Sequence, residues 1–141
     1  MKLTVAGAAV LSLGIVFAQE PTHSVWDGIY TDAQAKRGTG AYGQYCASCH
    51  GDQMTGGEMA PPLAGGEFLS NWNGLTVGDL FDRIYTTMPA NKPKSVSREV
   101  NADILAYIFA MNKFPTGTTD MGHQTEVLKQ FKIEASKPDK K

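Results

Sequence analysis

Cys46-Ala47-Ser48-Cys49-His50 is the stretch on which the reading of this chain turns. Cys-x-x-Cys-His is the attachment motif of c-type haem: two thiols add across the porphyrin vinyl groups as thioethers, and the adjacent histidine is delivered to the iron. Residues three apart on a helix share a face, so both sulfurs can meet one ring edge while His50 swings beneath it. Three rival readings compete with it. A thioredoxin-like dithiol wants a preceding strand in a βαβ context, and the chain shows no strand-like alternation of any length. Structural zinc needs a second ligand pair, and His23 and His123 lack finger-like spacing. A plain disulfide in an oxidising compartment leaves His50 without a task.

Working outward, the motif ends the first of three helical patches. Thr31-Asp32-Ala33-Gln34 has the form of a capping box and opens a helix expected from Asp32 to about Ala47. Gly38, Gly40 and Gly43 each cost up to about 1 kcal/mol against Ala there, which asks for a packing reason. Thr76-Val77-Gly78-Asp79 caps a second helix that sets Val77, Leu80, Phe81 and Ile84 on one face and stops at Pro89. Ser97 caps a third, from about Arg98 to Asn112, with an apolar stripe of Val100, Ile104, Tyr107, Ile108 and Met111. Between the first two lies a long Gly/Pro-rich connection, Gly51 to Asn73, of the kind that carries function.

The 141 residues suit one domain, and 13 basic against 14 acidic side chains give none of the basic patches that nucleic-acid binding needs. Lys2 followed by an apolar run from Leu3 to Ala18, ending Val16-Phe17-Ala18, reads as a secretory signal cleaved near Ala18; an uncleaved anchor is the alternative. The expected divisions are residues 1–18 as signal peptide, 19–30 as an N-terminal extension, 31–115 as the haem domain and 116–141 as a polar, solvated tail rich in lysine. The 123 residues after the signal include only 21 Leu, Ile, Val and Phe. Such a chain is short of core-forming side chains, and a bound group is expected to fill the deficit.

The ligand on the second axial face of the iron decides between electron transfer and reaction chemistry. The candidates are Met54, Met59, Met88, Met111, Met121, His23 and His123. Met111 belongs to an apolar stripe, Met121 and His123 to the polar tail, and Met54 and Met59 to the loop turning around the ring edge. Met88 follows a helix end and precedes Pro89, where the backbone is held stiffly, and its thirty-eight-residue lead over His50 lets the chain cross the ring. Met88 is therefore the preferred ligand.

At this point the pattern resembles the small His/Met-ligated c-type cytochromes, from about Thr31 to Asn112. The resemblance rests on Cys46-Ala47-Ser48-Cys49-His50-Gly51, Ala60-Pro61-Pro62-Leu63-Ala64-Gly65, Tyr85-Thr86-Thr87-Met88-Pro89 and Asp103-Ile104-Leu105-Ala106-Tyr107-Ile108. It implies an all-α fold of three main helices with long Gly/Pro-rich loops wrapped around one covalent haem c, held by Cys46 and Cys49, with His50 and Met88 on the iron. Gly38 and Tyr42 match the glycine and aromatic where that family crosses its first and last helices. Pro61 resembles the proline whose carbonyl accepts the histidine Nδ1–H, with Pro62 competing for the role. Leu63 and Leu80 would pack on the ring, Trp72 would meet a propionate or wall the pocket, and Tyr85 would lie near the methionine sulfur or simply pack. The ending Asn112-Lys113-Phe114-Pro115-Thr116-Gly117 looks similar to bacterial cytochromes that accompany periplasmic quinoprotein dehydrogenases.

The function expected from this is that of a periplasmic, monomeric single-electron carrier and not an enzyme. Its partners would be redox proteins, a quinoprotein dehydrogenase or quinol-oxidising complex on one side and a terminal oxidase on the other. Docking would use a neutral or apolar rim drawn from Met54, Met59 and Ala90, with no nucleic acid and no lasting membrane contact unless the anchor is retained. The alternative is a haem enzyme or gas sensor for peroxide, nitric oxide or carbon monoxide with an open sixth position. Arg83 is the only basic residue near the distal segment, and it is expected to face solvent. A fixed haem subunit within a dehydrogenase complex shares the chemistry and differs in partner.

Overall fold

The computed structural model describes residues 20–139; the proposed signal peptide lies outside them. Six helices are present among these residues: α1 (Asp32–Tyr45), α2 (Ala47–His50), α3 (Gly66–Trp72), α4 (Val77–Thr87), α5 (Arg98–Met111) and α6 (Thr125–Leu128). Two short strands, β1 (His23–Ser24) and β2 (Phe131–Lys132), pair in parallel, His23 opposite Phe131 and Ser24 opposite Lys132.

The three expected helices begin where their caps require. The Thr31 hydroxyl accepts from the Gln34 N–H at 3.0 Å, and the Ser97 hydroxyl accepts from the Val100 N–H. Thr76 and Asp79 exchange side-chain and backbone bonds in a reciprocal box. The box expected at Thr31 is only half made, because Gln34 is buried and its amide instead meets both the N–H and the C=O of Met121. A buried amide that satisfies two backbone groups outweighs a solvated capping bond.

α1 and α5 cross at the centre of the fold. A Cβ on Gly38 would lie 1.9 Å from the Asp103 carbonyl oxygen, so only glycine lets the backbones meet. Tyr42 then packs edge-on against Tyr107, with centroids 5.5 Å apart, and Arg37 forks onto the Asp103 carboxylate. Gly40 and Gly43 face open space and have no such reason. On α5 burial is wider than the expected stripe: Ala102, Leu105, Ala106 and Phe109 are buried beside Ile104 and Ile108.

Residues 116–139 correct the expectation of a solvated tail. Met121, Leu128 and Ile133 are buried, widely spaced in a polar background, and each seats in the body of the protein. α6 lies against α4 over Gly78, where a Cβ would come within 2.6 Å of the Thr125 carbonyl oxygen. Arg98 spans the joint: its guanidinium sits over the Phe81 and Tyr85 rings and donates to the His123 carbonyl and the Thr125 hydroxyl. The N-terminal extension closes against this strap through β1–β2 and through the Trp26 indole N–H, which donates to the Glu134 carbonyl at 2.9 Å. Between α2 and α4, the loop expected to be irregular throughout includes α3, entered through Gly65 at φ +87°.

Candidate functional site

α1 ends at Tyr45, and the chain turns through Cys46 into the single turn of α2, which carries Ala47, Ser48, Cys49 and His50. Cys46 and Cys49 are free thiols, the first half-buried and the second exposed. Burial pushes the Cys46 thiol up to about 11, so it is a neutral thiol at physiological pH. His50 is buried, and its Nδ1 donates to the Pro61 carbonyl oxygen at 2.8 Å. Its Nε2 has no hydrogen-bond partner among the described residues.

This imidazole is fixed from several directions. Tyr42 donates to the Gly51 carbonyl at 2.8 Å, which anchors the residue after His50. Burial raises the Tyr42 hydroxyl to about 12, with the nearby Cys46 adding to it, so this donor keeps its proton. The His50 carbonyl accepts from the Gly56 N–H. Gly56, at φ +75°, leaves room for the returning chain: a Cβ there would fall 2.7 Å from the Ala60 oxygen and the Pro62 nitrogen. Of the two adjacent prolines, Pro61 supplies the carbonyl.

The remaining expected site residues are distributed around the same fold. Leu63 is half-buried; its N–H donates to the Met54 carbonyl and its own carbonyl accepts from the Asn112 amide. Leu80 is buried on α4, and Trp72, at the end of α3, is half-buried against the core. The Tyr85 ring stacks on Phe81 at 6.5 Å under Arg98. Met88 is half-buried just beyond α4, its N–H on the Ile84 carbonyl, with no hydrogen bond to His50 or Pro61.

Met54 corrects one expectation. It is fully buried, at φ +58°, so it cannot belong to a docking rim, whereas Met59 is 94% exposed. The loop after His50 leaves an open groove lined by Thr55, Glu58, Met59, Pro61, Pro62 and Glu67. Sequence reasoning also missed Asn112, a buried amide at the end of α5 that bonds to the loop beyond Pro61. Its only signal was a polar residue closing an apolar helix.

The donor set fits a covalently held haem. Two thiols three residues apart flank a turn whose histidine has one ring nitrogen anchored and the other unpartnered. Half-buried apolar side chains, Leu63, Leu69, Trp72 and Ile84, border the core.

Residues 33–108 match the family model described as cytochrome C oxidase, cbb3-type, subunit III. Among solved structures, the chain is similar to the sulfane dehydrogenase SoxCD from Paracoccus pantotrophus, at 20% identity and a TM-score of 0.48, covering 86% of this chain and 68% of that one. No curated protein matches it.

Proposed function

The chain belongs to the c-type cytochrome family described as cytochrome C oxidase, cbb3-type, subunit III, and from that premise we propose a single-electron carrier with His50 and Met88 as axial ligands. The cytochrome c domain implies haem c and electron transfer. The observation that carries it is the buried His50 ring, held by Pro61 with Nε2 unpartnered. Haem c, once bound, supplies a reversible one-electron couple.

Cys46 and Cys49 would hold the ring by two thioethers. The Pro61 carbonyl accepts a hydrogen bond from His50 Nδ1–H, which fixes the tautomer and makes Nε2 a stronger donor. A thioether from Met88, a poor donor to ferric iron, would raise the potential relative to a second imidazole, as burial of the ring does. With Met54 buried, Met59 and Ala90 supply the neutral rim for brief docking. We place the protein in the periplasm after cleavage near Ala18, as a monomer passing electrons from a dehydrogenase or quinol-oxidising complex to a terminal acceptor. Arg83 is exposed, which gives the peroxide-cleaving alternative no support.

The test is an absorption spectrum of the exported protein, ferric and ferrous, with and without carbon monoxide. A covalent haem with a weak far-red ferric band and no response to carbon monoxide is expected. Ready carbon monoxide binding would replace the carrier with an enzyme or sensor, and a protein without covalent haem would overturn the reading.

A further inference from the structure

Asn112 stands outside every role assigned so far, yet its amide oxygen and both amide hydrogens are hydrogen-bonded and the residue is only 8% exposed. Its Oδ1 accepts from the Gly65 N–H at 3.0 Å, and its Nδ2 donates to the Leu63 carbonyl at 2.9 Å and to the Ile108 carbonyl of its own helix at 2.9 Å. One side chain thus grips the loop at two residues, just beyond Pro61, and ties both to the end of α5.

That grip lies in series with the histidine. The Pro61 carbonyl stays 2.8 Å from His50 Nδ1 only while the loop that carries it stays in place. On the near side the loop is fixed by Gly56 and by the Gly57–Ala60 bridge. On the far side the Leu63 N–H on Met54 and the two Asn112 bonds to Leu63 and Gly65 hold it. Met54 belongs to the same loop; Tyr42 ties the start of that loop to α1, and Asn112 ties its far side, beyond Pro61, to the end of α5.

We propose that Asn112 is a positioning residue for the redox centre: by clamping Leu63 and Gly65 it holds the Pro61 carbonyl against His50 and so sets the donor strength of the imidazole. This inference rests on the carrier reading, with His50 on the iron. A well-held Nδ1–H···O=C bond puts electron density on the ring and favours the ferric state. Loosening it raises the reduction potential.

The test compares Asn112→Ala with Asn101→Ala in the exported holoprotein. Asn101 is a buried amide at the opposite end of α5, bonded to the Val96 and Ser97 carbonyls, and serves as the control for general destabilisation. Both variants are expected to melt earlier. Only Asn112→Ala is expected to raise the potential, increasing the ferrous-to-ferric ratio at fixed ambient potential by up to about tenfold, equivalent to about 59 mV. An unchanged potential in Asn112→Ala, or an equal rise in both variants, would reduce Asn112 to a structural clamp and overturn the proposal.

Should Asn112→Ala fail to fold, hydrogen exchange in the unsubstituted ferrous protein decides. The Gly65 N–H and the His50 Nδ1–H are expected to exchange through one opening, with protection within about threefold of each other. Protection of His50 Nδ1–H that outlasts Gly65 by about a hundredfold would show that the clamp and the histidine are uncoupled. Failure of the underlying reading is separately visible, because the unsubstituted protein would then lack covalent haem or bind carbon monoxide.

Discussion

The backbone of Asp103 occupies the space that a side chain on Gly38 would need, with its carbonyl oxygen 1.9 Å from the position of the missing Cβ. Gly40 and Gly43 sit on the same helix with nothing within 4 Å. Gly38→Ala is expected to destabilise the protein by about 1–3 kcal/mol or more through forced separation of α1 and α5. Gly40→Ala is expected to stabilise it, by up to about 1 kcal/mol of helix propensity. Thermal denaturation of the two variants side by side checks the contrast; equal effects would mean the crossing is looser than described.

Arg98 joins α4, α5 and the strap through two rings and two hydrogen bonds. Arg98→Ala removes all four contacts and is expected to cost about 1.5–3 kcal/mol. Limited proteolysis should then cut first between residues 116 and 130. Arg98→Lys keeps the charge but lacks the planar fork that stacks on both rings while reaching the His123 carbonyl and the Thr125 hydroxyl, so it is expected to restore little. An uncut strap in Arg98→Ala would contradict this role.

Asp120 carries the acid response of the strap. The Thr31 hydroxyl, first, and the Arg37 guanidinium hold its carboxyl below the ordinary 3.8. A carboxylate depressed in the folded state adds stability above its unfolded value and loses it as pH falls through the folded one. Asp120→Asn is therefore expected to melt earlier than the parent at neutral pH, with the gap closing below about pH 4. Because the pair is exposed, the gap should also shrink with added salt. A gap independent of both would remove ionisation from the explanation.

The methionines separate by burial. Met54 and Met121 are in the core, Met59 is exposed, Met111 is half-buried on α5 and Met88 is half-buried at the end of α4. In a series of single Met→Leu variants, only Met88→Leu is expected to make the ferrous protein bind carbon monoxide, because only it would free an axial position. Met54→Leu is expected to cost no more than about 1.5 kcal/mol and to leave the spectrum alone. Carbon monoxide binding by any other variant would move the ligand.

Where a local signal decided the outcome, the sequence was legible. Thr76-x-x-Asp79, Ser97 and Pro89 bound α4 and α5, and the motif at Cys46 placed the histidine turn. Gly38 and Pro61 came from resemblance to a family, and both stand where it implied, at the helix crossing and on His50 Nδ1. The strap was not legible. Leu128 and Ile133 sit in the short run Val127-Leu128-Lys129-Gln130-Phe131-Lys132-Ile133, too brief to mark a buried helix or strand by its period. Gln34 misled for a related reason: a glutamine in a capping position and a glutamine buried on a distant backbone look identical until the distant segment is in place.

The β1–β2 pair also has a mechanical meaning. The strands run parallel, with the preceding chain leaving at His23 and the following chain leaving at Lys132, at opposite ends of the ladder. Tension on these two exits slides one strand along the other, so the cross-strand bonds share the load instead of parting one by one. Just past β2, the Gly74 N–H donates to the Ile133 carbonyl and the Leu75 carbonyl accepts from the Ile133 N–H, and these bonds resist the same displacement. Pulled at these two exits, the molecule loads this fastening first, and α1, α5 and the turn bearing His50 lie between the two strands along the chain.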